Sequence, residues 1–206
     1  MEFISTRGKD GPISFETALL NGLARDGGLY LPVSWPRFNL DEIRHMRDLS
    51  YSDLAGLIMS RFTDGEIDQV EMTSLARQSY ADFTHPDVAP LRPVAENIHI
   101  LELFHGPTIA FKDYAMQFLS RVFDRALTRQ NRTAVILGAT SGDTGSAALE
   151  AFKGRDSVDV FILFPDGRVS PVQQKQMTSI SAKGAHAVAV SGDFDDCQDM
   201  VKACFN

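Results

Sequence analysis

Ala134-Val135-Ile136-Leu137-Gly138-Ala139-Thr140-Ser141-Gly142-Asp143-Thr144-Gly145-Ser146-Ala147-Ala148 begins as a short apolar run and breaks at glycine into small, hydroxyl-bearing residues. Residues 134–137 read as a strand covered on both faces, and residues 144–153 as the helix that follows it. The same alternation extends outward. Strands are predicted at 98–103, 158–164 and 185–190, and helices at 111–127, 171–181 and 194–205. Strand–helix alternation of this kind predicts an α/β fold of βαβ units around a parallel sheet. In such sheets ligands bind beyond the carboxyl ends of the strands.

The first half is mixed α/β. Residues 14–23 carry a helical apolar pattern with Ser14 as a cap. Asp26-Gly27-Gly28 is a turn into a short strand, Leu29-Tyr30-Leu31, which Pro32 stops. Helices are predicted at 40–47, 52–62 and 66–83. The loop 84–93 holds Pro86, Pro90 and Pro93 and marks a boundary. The expected organisation is an amino-terminal mixed region, 1–93, and a βαβ region, 94–206.

Two segments carry chemistry. After the strand at 134–137, a helix N-terminus leaves backbone N–H groups free, and Thr140, Ser141 and Thr144 add hydroxyls. That arrangement suits a carboxylate or a phosphate. It equally suits an ordinary strand–helix turn capped by Asp143 or Ser141. No Gly-Lys-Ser/Thr follows, so it is not a nucleotide P-loop, and the dinucleotide fingerprint is absent. The other segment is His105-Gly106-Pro107-Thr108-Ile109-Ala110-Phe111-Lys112-Asp113-Tyr114. Apolar residues recur from Phe111 to Ala126 at helical spacing, so Lys112 lies at a helix start, where the dipole disfavours an ammonium. Locally this fits a nucleophilic amine, and it also fits a lysine snorkelling from the first turn beside Asp113.

Hydrophobic residues make up 44% and charged residues 23%, the balance of a globular protein with a real core. A formal charge of −7 argues against nucleic acid and membrane surfaces as partners. Cys197 and Cys204 are seven apart, are expected to be plain thiols, and have no His/Cys cluster around them that would bind a metal. The start lacks a basic segment followed by an apolar run, and no apolar stretch reaches spanning length, so the expected compartment is the cytoplasm.

Together the lysine segment and Ala139-Thr140-Ser141-Gly142-Asp143-Thr144-Gly145 resemble the threonine synthase family of fold-type II pyridoxal 5'-phosphate (PLP) enzymes, whose fold is that of tryptophan synthase β. Three further stretches are similar to the same family: Asp26 to Pro32, Gly167 to Met177, and Gly192 to Gln198. The resemblance implies that Lys112 binds PLP covalently and moves protons on the substrate. It implies that Thr140, Ser141, Gly142, Asp143 and Thr144 grip the substrate carboxylate. Asp143 stands where related enzymes often have asparagine, and would also meet the cofactor's ring hydroxyl. The implied reaction converts O-phospho-L-homoserine and water to L-threonine and phosphate. A related PLP-dependent phospholyase is the alternative. Arg168, Ser170 and Lys175 are weak candidates for the substrate phosphate against a reading as surface residues.

Family members are much longer than 206 residues. The resemblance therefore implies an amino-terminal fragment with an incomplete sheet, lacking the residues that hold the PLP phosphate and ring nitrogen. By itself such a fragment is expected to be catalytically inactive.

Overall fold

The computed structural model describes residues 1–204. The chain divides into two compact units, Met1–Ala81 and Asp82–Asn206. The proline-bearing loop marked in the sequence follows this division directly.

In the first unit, β1 (Phe3–Ser5) pairs antiparallel with β2 (Tyr30–Pro32), Phe3 opposite Pro32. Pro32 thus ends the strand from inside it, at the edge of a two-stranded ribbon where its missing N–H costs little. The turn before β2 is tied down by Asp26. Its carboxylate accepts from Ser5 Oγ at 2.6 Å and from the N–H groups of Gly28 and Lys9. Those bonds, led by Ser5, hold Asp26 below the usual carboxylate range. Helix α1 (Phe15–Asn21) is capped by Ser14 as expected, and Glu66 accepts from the Phe15 and Glu16 amides at 2.9 and 3.0 Å. An anion there complements the helix dipole.

Helices α2 (Leu40–Met46), α3 (Tyr51–Ser60) and α4 (Gln69–Tyr80) follow. Asn39, Ser50 and Asp68 cap them, each accepting a first-turn amide. α3 and α4 pack closely at Gly56. A β-carbon there would sit 2.3 Å from Thr73 Oγ1 and 2.5 Å from Thr73 Cα. The neighbour is backbone and cannot rotate away. Gly56→Ala is therefore expected to destabilise this unit by about 2 kcal/mol, overpacking outweighing the better helix propensity of alanine. An unchanged melting temperature would show that the helices separate without cost.

The second unit opens with a hairpin, β3 (Leu91–Ala95) and β4 (Ile98–Leu101), antiparallel and exposed along its length. This corrects the expectation for residues 98–103, whose apolar run fitted a strand of the parallel sheet. The turn residue Asn97 has φ 62°, a conformation asparagine tolerates, and it sends the chain back on itself. Pro93 lacks the N–H a ladder needs, and the register slips between Pro93 and Ala95.

The sheet proper is parallel with order β5-β6-β7: Ala134–Ala139, Val158–Pro165 and Ala185–Val190. Helices α5 (Lys112–Arg129), α6 (Asp143–Phe152), α7 (Pro171–Thr178) and α8 (Phe194–Ala203) accompany it. The predicted α8 ran to residue 205, which lies outside the described residues. β6 is the central strand, with Val158, Val160, Ile162 and Phe164 buried. α6 offers Gly145, Ser146, Ala147, Ala148 and Ala151 to the interior. Such small residues let its backbone approach closely: a β-carbon on Gly145 would meet Thr140 Cγ2 at 2.4 Å and Ile162 Cγ2 at 2.7 Å. That fit fixes the start of α6 directly above the ends of β5 and β6.

Candidate functional site

Lys112 is the first residue of α5, half-buried, with Nζ 4.7 Å from the centre of the Phe111 ring. Among the described residues its amine has no hydrogen bond and no ion pair. Asp113, which the sequence offered only as a neighbouring charge, turns the other way. Its side chain is fully buried and reaches back five residues, accepting from the Thr108 N–H at 2.8 Å and the Thr108 hydroxyl at 2.6 Å. Gly106 leaves the room: a β-carbon there would lie 2.5 Å from the Asp113 carboxylate. The loop closes on itself through the Ile109 N–H to the Gly106 carbonyl, and it holds Ile109 at φ 63°. Positive φ is rare for a β-branched residue and marks strain that surrounding bonds must hold. Burial pushes the Asp113 carboxyl above the usual aspartate range, while the bonds from Thr108 act against that rise.

Upstream, His105 Nε2 lies 2.7 Å from Glu102 Oε2, and Arg92 Nε donates to Glu102 Oε1 at 3.3 Å. His105, ahead of Arg92, holds Glu102 below the usual carboxylate range. The His105 carbonyl accepts from the Thr84 N–H, and the Tyr114 hydroxyl donates to the Val88 carbonyl. Both ends of the lysine segment are thus braced.

The second segment has a definite geometry. Gly142 occupies the N-cap position of α6 at φ 152° with no side-chain cap, so neither Ser141 nor Asp143 caps the helix. Thr140 is buried and organises the turn. Its Oγ1 accepts from the Gly142 and Gly145 N–H groups at 3.1 and 2.9 Å and donates to the Gly142 carbonyl. Its own N–H donates to the Leu163 carbonyl. Thr140 therefore shapes the loop, with its donors already engaged. Ser141, Asp143 and Thr144 are exposed. Their backbone N–H groups and the Ser141 and Thr144 hydroxyls have no acceptor among the described residues. Several unpartnered donors at one helix N-terminus suit an anion.

α7 joins the two segments. Gln173 Nε2 donates to Asp143 Oδ1 at 2.6 Å, and Gln176 Nε2 donates to the Thr108 carbonyl at 3.0 Å. Of the weaker candidates, Ser170 is engaged as the cap of α7, while Arg168 and Lys175 are exposed. A recess of about 410 Å³ beside β7, lined by Phe161, Met177, Ile180 and His186 among others, contains none of the candidate residues.

Residues 2–80 match the family model described as the threonine synthase N terminus. The whole chain is 50% identical to the threonine synthase of Pseudomonas aeruginosa, covering 44% of it. The chain is similar to threonine synthases along its whole length. It is also 45% identical to the threonine synthase of Schizosaccharomyces pombe, of which it covers 42%. A crystal structure of PLP-bound threonine synthase from Brucella melitensis superposes with a TM-score of 0.97 at 52% identity, over all of this chain and 44% of that one. The yeast threonine synthase structure gives 0.94 at 42% identity, over 99% and 43%. The chain thus spans less than half the length of the threonine synthases it matches. The fold they share is the fold-type II α/β fold expected from the lysine and anion loops.

Proposed function

We propose that this chain works within a PLP-dependent threonine synthase, converting O-phospho-L-homoserine and water to L-threonine and phosphate in the cytoplasm. Residues 94–206 would be the start of the catalytic core and 1–93 an amino-terminal region. The observation that carries this reading is the pairing of an unpartnered helix-start lysine with an unpartnered anion loop, both tied to α7.

The residues present fit the cofactor at one point. Lys112 offers a half-buried amine with no carboxylate partner among the described residues, and a lysine amine is the group that condenses with an aldehyde. When bound, PLP supplies the electron sink that stabilises a substrate carbanion. Lys112 Nζ would hold the cofactor and, when free, would be the base that moves protons at the substrate's Cα and Cβ. Ser141 and Thr144 present the N–H and hydroxyl donors that grip the substrate carboxylate, on a turn that the bonds from the Gly142 and Gly145 N–H groups to Thr140 hold fixed. Asp143, at the start of α6, would interact with the cofactor's ring hydroxyl in this reading.

Borohydride reduction of the PLP-loaded full-length protein, followed by peptide mapping, is expected to leave the pyridoxyl group on Lys112. Recovery on Lys153, Lys175 or Lys183 would refute the assignment. Without reduction, the PLP-loaded full-length protein should release threonine and phosphate in equal amounts from O-phospho-L-homoserine. Phosphate accompanied by a 2-oxo acid and ammonia would instead identify a phospholyase.

A further inference from the structure

We propose that Gln173 and Gln176 are positioning residues, which hold the anion loop open and the lysine loop in place from one side of α7. The proposal rests on the function proposed above. The two glutamines are three residues apart, so their side chains are neighbours on the helix. Met177 is the buried side chain of α7, and these two amides reach from the helix to the two loops.

Gln173 uses both ends of its amide. Oε1 accepts from the Ser170 N–H at 3.3 Å and Oγ at 2.8 Å, completing a capping box, and Nε2 donates to Asp143. The carboxamide lies flat against Gly142, where a β-carbon would meet its atoms at 2.4–2.5 Å. The Asp143 bond has a purpose that the charge explains. A carboxylate in the first turn of a helix is drawn to that turn's free amides. Left alone, Asp143 would compete with the substrate for the donors of Ser141 and Thr144. A neutral donor at 2.6 Å holds it aside without introducing a cation that would itself bind the substrate. Gln176 does the parallel task at the other loop. It engages the carbonyl of Thr108, whose N–H and hydroxyl are fixed by Asp113, the residue after Lys112.

Gln173→Glu in the full-length protein separates this role from helix folding. Glutamate keeps the acceptor for the capping box but turns the donor facing Asp143 into a second negative oxygen. The expected result is a KM for O-phospho-L-homoserine raised about tenfold or more, with kcat changed little and the melting temperature unchanged. Gln173→Met, uncharged, should raise KM less, and its effect should shrink when Asp143 is already asparagine. An independent readout needs neither cofactor nor turnover. Amide exchange at residues 141–146 should change in Gln173→Glu, and at residues 106–110 in Gln176→Met, each with the other loop unaffected. Exchange identical to the parent in both variants would overturn the proposal. So would a fall in kcat at unchanged KM for Gln173→Glu. If the parent protein fails to turn over O-phospho-L-homoserine, the functional reading fails, and the exchange experiment still decides the positioning role.

Discussion

Gly142→Ala is expected to raise the KM of the full-length protein for O-phospho-L-homoserine about a hundredfold while leaving PLP attached to Lys112. At φ 152° and ψ −96° the backbone lies where an L side chain is strained by about 1–3 kcal/mol. The new β-carbon would also lie 2.4–2.5 Å from three atoms of Gln173. There are two ways to relieve that clash. Gln173 moves and releases Asp143 into the loop, or the turn flattens and breaks the bonds from the Gly142 and Gly145 N–H groups to Thr140 Oγ1. Both routes disorganise the donors, and a total of about 3 kcal/mol corresponds to the hundredfold loss. Gly154→Ala is the control. Gly154 also has positive φ, 71°, but nothing lies within 4 Å of its would-be β-carbon. It should cost a little stability and leave KM alone. If the two variants had equal KM values, the steric argument at Gly142 would be wrong.

The parallel sheet was legible because β5, β6 and β7 are largely apolar runs each followed by a helix, and α6 and α8 carry a 3.6-residue stripe. β1 was not, since three residues show no alternation. β3 contains Pro93, which argues against a strand, and β4 has an apolar run that predicts extended chain but not its pairing partner. Asn97 was the local sign of a hairpin. At the site, Lys112 and the glycine–hydroxyl loop stood out by motif. The roles of their supporting side chains did not. An aspartate beside a lysine reads as an ion-pair partner, whereas Asp113 closes a loop on Thr108. Gln173 and Gln176 are visibly three apart in sequence. Their partners lie 30 and 68 residues away, and no local pattern encodes such contacts.

Asp113→Leu is expected to cost about 3–5 kcal/mol of stability, whereas Asp113→Asn should cost far less. Leucine leaves the Thr108 N–H and hydroxyl buried without acceptors, and its branches press on the space beside Gly106 that the carboxylate fills. Asparagine satisfies both groups. Its oxygen accepts from the Thr108 N–H, and its NH₂ donates to the Thr108 oxygen once that hydroxyl rotates. The two variants also differ from the parent in pH dependence. Burial raises the folded-state pKa of Asp113 above its unfolded value, so the folded chain keeps the proton longer than the unfolded chain does. Stability then falls as pH rises from about 4 through the folded pKa, and this contribution is flat above it. Asparagine carries no such proton. The stability of Asp113→Asn relative to the parent should therefore improve as pH rises through that window. Melting temperatures of parent and variant measured side by side from acid to neutral pH give this difference directly, because the carboxylates with lowered pKa values, such as Asp10, Asp26 and Asp53, titrate alike in both. A difference that moved the other way, with the variant losing ground as pH rises, would mean that the folded chain keeps Asp113 ionised below its unfolded pKa. The lysine loop would then be held by a buried anion rather than by a carboxyl that readily takes up a proton.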